Sequence, residues 1–160
     1  MSDNSLHELY LGLGTNLGDK QQNIKLALEY IEKRIGKVVA CSAFYITKPV
    51  GFDSENNFLN AACQVQTSLQ PREVLIETQC IEKEMGRKSK SINDQYSDRV
   101  IDIDLLLFDS AIIQEEDLTL PHPHLHERDF VLRPLNDIAS NFVHPLLGYT
   151  IGELLNNLND

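Results

Sequence analysis

Two hydrophobic periods alternate along this chain, and their order restricts the fold more than any other feature. A period of two marks one face of a strand and a period near 3.6 one face of a helix, and neither substitutes for the other. Residues 8–14 have strand character, and Gly18-Asp19 then opens a stretch where Ile24, Leu28, Ile31 and Ile35 recur at helical spacing. Gly36 closes that helix, and the β-branched and aromatic run 38–46 predicts a second strand. Residues 47–57, rich in Pro, Gly, Asp and Asn, predict an exposed loop. Leu59, Ala61, Cys63 and Val65 then alternate with Asn60, Gln64 and Gln66, which predicts a third strand with one wet face. Pro71 suits a first helical position, Val74, Thr78, Ile81 and Met85 share a face, and Gly86 ends the second helix. A polar loop over 88–98 leads into a last strand over 99–108.

The order strand-helix-strand-strand-helix-strand is the signature of an α+β, ferredoxin-like βαββαβ sandwich. Residues 111–120 add a hairpin arm, and 127–132 a short helix before Pro134. Thr150-Ile151-Gly152-Glu153 forms a capping box leading into a short helix at Leu154. No repeat, low-complexity tract or long linker divides the chain, so one domain over residues 1–160 is expected. Loops longer than about 10 residues in a compact domain tend to be functional.

The last strand carries the chemistry. In Arg99-Val100-Ile101-Asp102-Ile103-Asp104-Leu105-Leu106-Leu107-Phe108, alternation puts Ile101, Ile103, Leu105 and Leu107 on one face and Asp102 and Asp104 on the other. The two carboxylates stand roughly 7 Å apart from the strand rise. Aspartate is depleted in strands. Paired oxygen donors beside an arginine suit Mg²⁺ shared with substrate phosphates, because magnesium is seldom caged by protein alone. The plainer alternative is a half-exposed strand whose aspartates face water.

A formal net charge of −10 opposes nonspecific binding to nucleic acid or to an anionic membrane. A polyanionic ligand would need a local basic patch, and Arg87, Lys88, Lys90, Arg99, Arg128 and Arg133 are the candidates. No apolar run exceeds four residues and the first residues lack a basic-then-apolar pattern, so a cytoplasmic protein is expected. Cys41, Cys63 and Cys80 sit in apolar segments at wide spacing and read as reduced core thiols.

Other motifs are weaker. Gly12-Leu13-Gly14-Thr15-Asn16-Leu17-Gly18 lies between a strand and a helix, but its third glycine is one residue late for a dinucleotide fingerprint. Its glycines better serve a tight turn or the close approach of a flat ligand. His122, His124 and His126, held by Pro121 and Pro123, could all point one way, yet zinc wants three or four converging ligands. One histidine aimed at phosphate is the simpler reading. Glu29, Glu32, Glu73 and Glu84 read as solvated helix faces.

Taken together, several segments resemble the 6-hydroxymethyl-7,8-dihydropterin pyrophosphokinase family of the folate pathway. They are the 12–18 glycine segment, Thr47-Lys48-Pro49-Val50-Gly51, Phe58-Leu59-Asn60-Ala61-Ala62, Ile81-Glu82 with Gly86-Arg87, the 99–108 strand, and Pro121-His122-Pro123 leading to residues 127–135. The family's fold is the same sandwich. Its reaction moves the terminal diphosphate of ATP onto the pterin's primary hydroxyl and releases AMP. By this resemblance Asp102 and Asp104 hold two Mg²⁺ ions, and Asp102 also borders the pterin. Arg87 and Arg99 clamp the phosphates, with His122 and Arg128 as further phosphate contacts. Gln79 and Glu82 lie on the nucleotide side, and Leu105 and Thr119 border the adenine. Phe58 and Phe130 match stacking positions, Asn60 an amide reader, and Thr47 and Val50 loop residues whose backbone reads the ring edge. Ser97-Asp98 stands where many members carry a small residue and proline. The resemblance implies small-molecule partners and a monomer, with a dimer left open. Two other classes remain: a different Mg²⁺-dependent nucleotidyl or phosphoryl transferase on this fold, and a noncatalytic pterin- or nucleotide-binding module.

Overall fold

A computed structural model describes residues 6–48, 57–86 and 100–159 of the chain. The elements are β1 (His7–Thr15), α1 (Lys20–Arg34), β2 (Lys37–Cys41), β3 (Tyr45–Thr47), β4 (Phe58–Thr67), α2 (Pro71–Glu84) and β5 (Asp102–Phe108). After them come β6 (Ile113–Gln114), β7 (Thr119–Leu120), a 3-10 turn at Leu125–Glu127, α3 (Asp129–Ala139) and α4 (Ile151–Asn159). The main sheet runs β2-β4-β1-β5 with β3 also on β4, and every pairing is antiparallel, as a βαββαβ sandwich requires. Among the described residues no helix is long and apolar enough to cross a membrane.

Local chemistry sets the helix ends. Asp19 accepts the Gln22 amide at 3.2 Å ahead of α1, and Glu73 accepts the Gln70 amide at 2.8 Å ahead of α2, where Pro71 occupies the first turn. The helices α1 and α2 cover one face of the sheet. Leu9, Leu11, Leu13, Ala61, Val65, Ile103 and Leu105 meet Ile24, Ala27, Ile31, Val74 and Ile81 there in one core. A second core lies on the opposite face, where Tyr10, Ala62, Leu106 and Leu107 pack under Leu125, Leu132, Leu135, Ile151 and Leu154. The face of β4 expected to be wet is therefore largely covered by α3.

Several expectations are corrected. The predicted strand over 38–46 is broken into β2 and β3. Between Cys41, opposite Cys63, and Tyr45, opposite Asn60, the edge chain advances four positions while β4 advances three. Ser42 occupies the break, donating its amide to the Ala62 carbonyl and accepting the Ala62 amide on Oγ. Asp137 of α3 takes the Ala43 amide and the Tyr45 hydroxyl. Secondly, Leu107 does not share a face with Leu105. The register with β1 shifts between Tyr10 and Leu11, and this bulge turns both Leu106 and Leu107 toward the second core. Thirdly, α3 runs through Pro134 to Ala139. An interior proline costs about 3 kcal/mol, which burial of Leu132, Leu135 and Ala139 offsets. The last helix likewise begins at Ile151, although the capping box is as read, Thr150 and Glu153 exchanging bonds of 2.8 and 3.1 Å. Fourthly, of the three free cysteines only Cys63 is fully buried; Cys41 is exposed on the edge strand. The expected loops over 47–57 and 88–98 fall largely outside the described residues.

Gly36 joins α1 to β2 where a methyl group would stand 2.1 Å from the Gln66 carbonyl oxygen. We expect Gly36→Ala to lower stability by about 1–3 kcal/mol, read as a lower urea midpoint with an unchanged slope. An unchanged midpoint would show that this junction has slack.

Candidate active-site cleft

The site is built on the register of three strands. β1 is central, and Gly14 lies between Asn60 of β4 and Asp102 of β5, while Gly12 lies between Ala62 and Asp104. All of these positions are on the face turned away from α1 and α2. The two aspartates are half-buried and rise side by side at the sheet's edge. Because the middle strand contributes glycines, a trough is left between Asn60 and the acids. A methyl at Gly14 would meet Asn60 Oδ1 at 3.2 Å and the Phe58 ring at 3.8 Å, and one at Gly12 would meet Leu106 at 3.4 Å. Asn60 is held in place, its Nδ2 donating to Thr47 Oγ1 at 2.7 Å, so Oδ1 lies over Gly14.

The β5 bulge supplies one wall. The Leu106 carbonyl accepts the His122 amide at 3.0 Å, which brings the Pro121-His122-Pro123 segment against the aspartate strand. The His124 amide then donates to His122 Nδ1 at 3.1 Å, so the proton of the neutral ring sits on Nε2. Burial, with the charge of Arg128 and of His124, pulls the His122 pKa down to about 4. His122 is thus a neutral N–H donor at ordinary pH. Arg128 immediately precedes α3 and places its guanidinium 5.7 Å from the Phe130 ring centroid. Phe130, in the first turn of α3, and Phe58, the first residue of β4, complete a cleft of about 340 Å³.

Thr47, Phe58, Asn60, Asp102, Asp104, His122, Arg128 and Phe130, all singled out in the sequence, line this one cleft. Four others do not. Leu105 is buried in the core under α1 and α2, Thr119 pairs with Gln114 in the hairpin, and Gln79 is exposed on α2. Glu82 is buried, with Oε2 accepting the Ile103 amide at 2.7 Å. Arg87, Arg99 and Val50 lie outside the described residues. The three neighbouring histidines do not converge as one set: His122 and His124 stay close, with ring centroids 6.1 Å apart, but His124 pairs with Glu127 at 2.8 Å and His126 faces His144. Among the described residues no three His, Cys, Asp or Glu side chains converge as a metal site. Sequence reasoning missed Lys48, Leu106, His124 and Val131 as lining residues. For Leu106 there was no signal, because an all-apolar run does not reveal a bulge.

The depressed His122 pKa has a consequence for stability. With a folded value of about 4 against an ordinary 6.5, the unfolded chain binds the proton first on acidification. The contribution of His122 is therefore complete above pH 6.5 and is lost as pH falls toward 4. We expect the wild type to lose more stability between pH 7 and pH 5 than His122→Asn does, by urea unfolding at each pH. Equal losses would contradict the burial of a neutral ring.

Comparison with known proteins identifies the family. The family described as 7,8-dihydro-6-hydroxymethylpterin-pyrophosphokinase matches residues 10–140. The chain is 45% identical over 138 residues to the 2-amino-4-hydroxy-6-hydroxymethyldihydropteridine pyrophosphokinase of Porphyromonas gingivalis, covering 86% of this chain and 93% of that protein. It is 40% identical over 138 residues to the enzyme of the same name from Aquifex aeolicus, covering 86% and 84%. Among solved structures, the Plasmodium falciparum HPPK-DHPS with pteroate superposes with a TM-score of 0.80 at 18% identity, over 98% of this chain. That likeness concerns the fold, and this chain spans 45% of the length of the Plasmodium chain. The matched span contains the whole trough from Gly12 to Phe130, and the chain belongs to the 7,8-dihydro-6-hydroxymethylpterin-pyrophosphokinase family.

Proposed function

We propose that the cleft carries out the family's diphosphate transfer with Asp102 and Asp104 as the metal-holding pair. The chain is an ATP-dependent pyrophosphokinase acting on a dihydropterin in folate biosynthesis. The observation that carries the residue assignment is convergence: two carboxylates, a neutral imidazole donor, a guanidinium, an oriented amide and two phenyl rings face one trough.

The donor set fits Mg²⁺. Asp102 and Asp104 offer oxygen donors only, and among the described residues no third His, Cys, Asp or Glu completes a cage with them. An ion there would be shared with phosphate oxygens, the usual manner of magnesium. When bound, two such ions lower the pKa of a coordinated hydroxyl and offset charge on the transferring phosphates. The remaining work belongs to the side chains. Phe58 and Phe130 offer ring faces to a flat heterocycle, and Gly12 and Gly14 let it lie against the backbone. Asn60, fixed by Thr47, reads the ring's polar edge, and the loop backbone at Thr47 and Val50 reads the same edge. His122 donates Nε2–H to a phosphate oxygen without adding charge, whereas Arg128, Arg87 and Arg99 donate as cations. Held in line, the pterin hydroxyl oxygen bonds to the β-phosphorus as the bond from that phosphorus to the oxygen shared with the α-phosphate breaks, leaving AMP.

Incubation with ATP, Mg²⁺ and 6-hydroxymethyl-7,8-dihydropterin should yield AMP only when the pterin is present; ADP or pyrophosphate would place the chemistry in another transferase class. Asp102→Asn and Asp104→Asn should each lower kcat/KM by at least about a hundredfold while circular dichroism stays unchanged. A rate near wild type in either variant would remove that carboxylate from the site. Gly14→Ala should raise the pterin KM by roughly tenfold, since the loss is in binding. An unchanged KM would place the ring elsewhere.

A further inference from the structure

We propose that Glu82 is a positioning residue that fixes the aspartate pair through the backbone of β5. Among the described residues β5 is an edge strand of the sheet, so alternate amides along it have no described strand to bond to. Pairing with β1 sets Asp102 against Gly14 and Asp104 against Gly12, and the residue between them is Ile103. Its amide points away from β1 and donates to Glu82 Oε2 at 2.7 Å in a buried setting. The strand begins at Asp102, so this bond falls at its second residue, where an edge strand would otherwise fray.

Glu82 is an unusual residue for its position in the helix. It is 7% exposed and lies in the last turn of α2, where the helix dipole disfavours a carboxylate. Burying a carboxylate also costs solvation. A residue that violates both rules marks a place where something beyond helix stability is served. The served element is the Asp102-Ile103-Asp104 backbone: a carboxyl oxygen accepting the intervening amide holds both flanking side chains in register. Glu82 does not line the cleft between Asn60 and the two aspartates, so it would act on them through the backbone and not by lining that cleft.

The inference rests on the reading that Asp102 and Asp104 hold the metal, and its test has a readout independent of turnover. Amide hydrogen exchange in the substrate-free protein, followed by NMR, is compared for wild type, Glu82→Gln and Glu82→Ala, alongside kcat, the KM for each substrate and the Mg²⁺ concentration for half-maximal rate. In Glu82→Ala the Ile103 amide should exchange at least tenfold faster while core amides of β1 and β4 keep their rates. Its kcat should fall at least tenfold and its Mg²⁺ requirement rise several-fold, with the pterin KM within twofold of wild type. Glu82→Gln, which keeps a carbonyl acceptor, should recover at least half of both the protection and kcat. Unchanged Ile103 exchange in Glu82→Ala overturns the proposal, as does a rise in the ATP KM alone, which marks a nucleotide contact. Should Glu82→Ala not fold, a Glu82→Gln kcat as low as that of Asp102→Asn overturns it too. Full activity in Asp102→Asn would sink the metal reading yet leave the exchange result to report on the Glu82 bond.

Discussion

The pairing register between β1 and β5 is the constraint on which the rest of this molecule depends. Leu13 faces Ile103 and Leu11 faces Leu105, all nearly inaccessible beneath α1 and α2. That apolar pairing forces Gly14 with Asp102, and Gly12 with Asp104, onto the other face. A slip of one residue would carry both aspartates into the core and lift the leucines and isoleucine out of it. Burying such an aliphatic side chain is worth about 1.5–3 kcal/mol, and an unpaired buried carboxylate costs several more. The hydrophobic core therefore places the acids, which need no directional help to reach the correct face.

Once the acids are placed, the same strand organises the rest of the cleft. The bulge at Leu106 turns two consecutive leucines toward the second core, where they anchor α3 and α4. It also gives the Leu106 carbonyl to the His122 amide, so the histidine arrives at a fixed height beside the aspartates. The start of α3 then brings Arg128 and Phe130 into the same lining. Packing on both sides of the sheet is thus the means by which residues distant in sequence share one trough, and the glycines of β1 are the space between them.

Much of this was legible in the residues. The element order and the α+β class followed from periodicity, because Ile24, Ile31, Val74 and Ile81 recur at helical spacing and Leu59, Ala61, Cys63 and Val65 at strand spacing. Asp102 and Asp104 were conspicuous because acids are rare in strands. What was hidden has physical causes. Leu105-Leu106-Leu107-Phe108 is apolar on both faces, so no pattern marks where the bulge reverses the alternation. The break in the edge strand depends on Ser42 bonding Ala62 and on Asp137, 94 positions further along than Ala43. Pro134 reads as a helix stop, and only the burial of its neighbours shows why the helix continues. Glu82 was set on the nucleotide side by resemblance, and no sequence pattern marks its bond to the amide between the two aspartates, which forms only when α2 packs on β5.

A crystal structure with Mg²⁺, a non-hydrolysable ATP analogue and the pterin tests the central claim most directly. The account predicts carboxylate oxygens of both Asp102 and Asp104 about 2.0–2.1 Å from magnesium, with the pterin ring lying over Gly14 between Phe58 and Phe130. Metal held by only one of the aspartates or by neither, or a ring seated outside the trough, would contradict it.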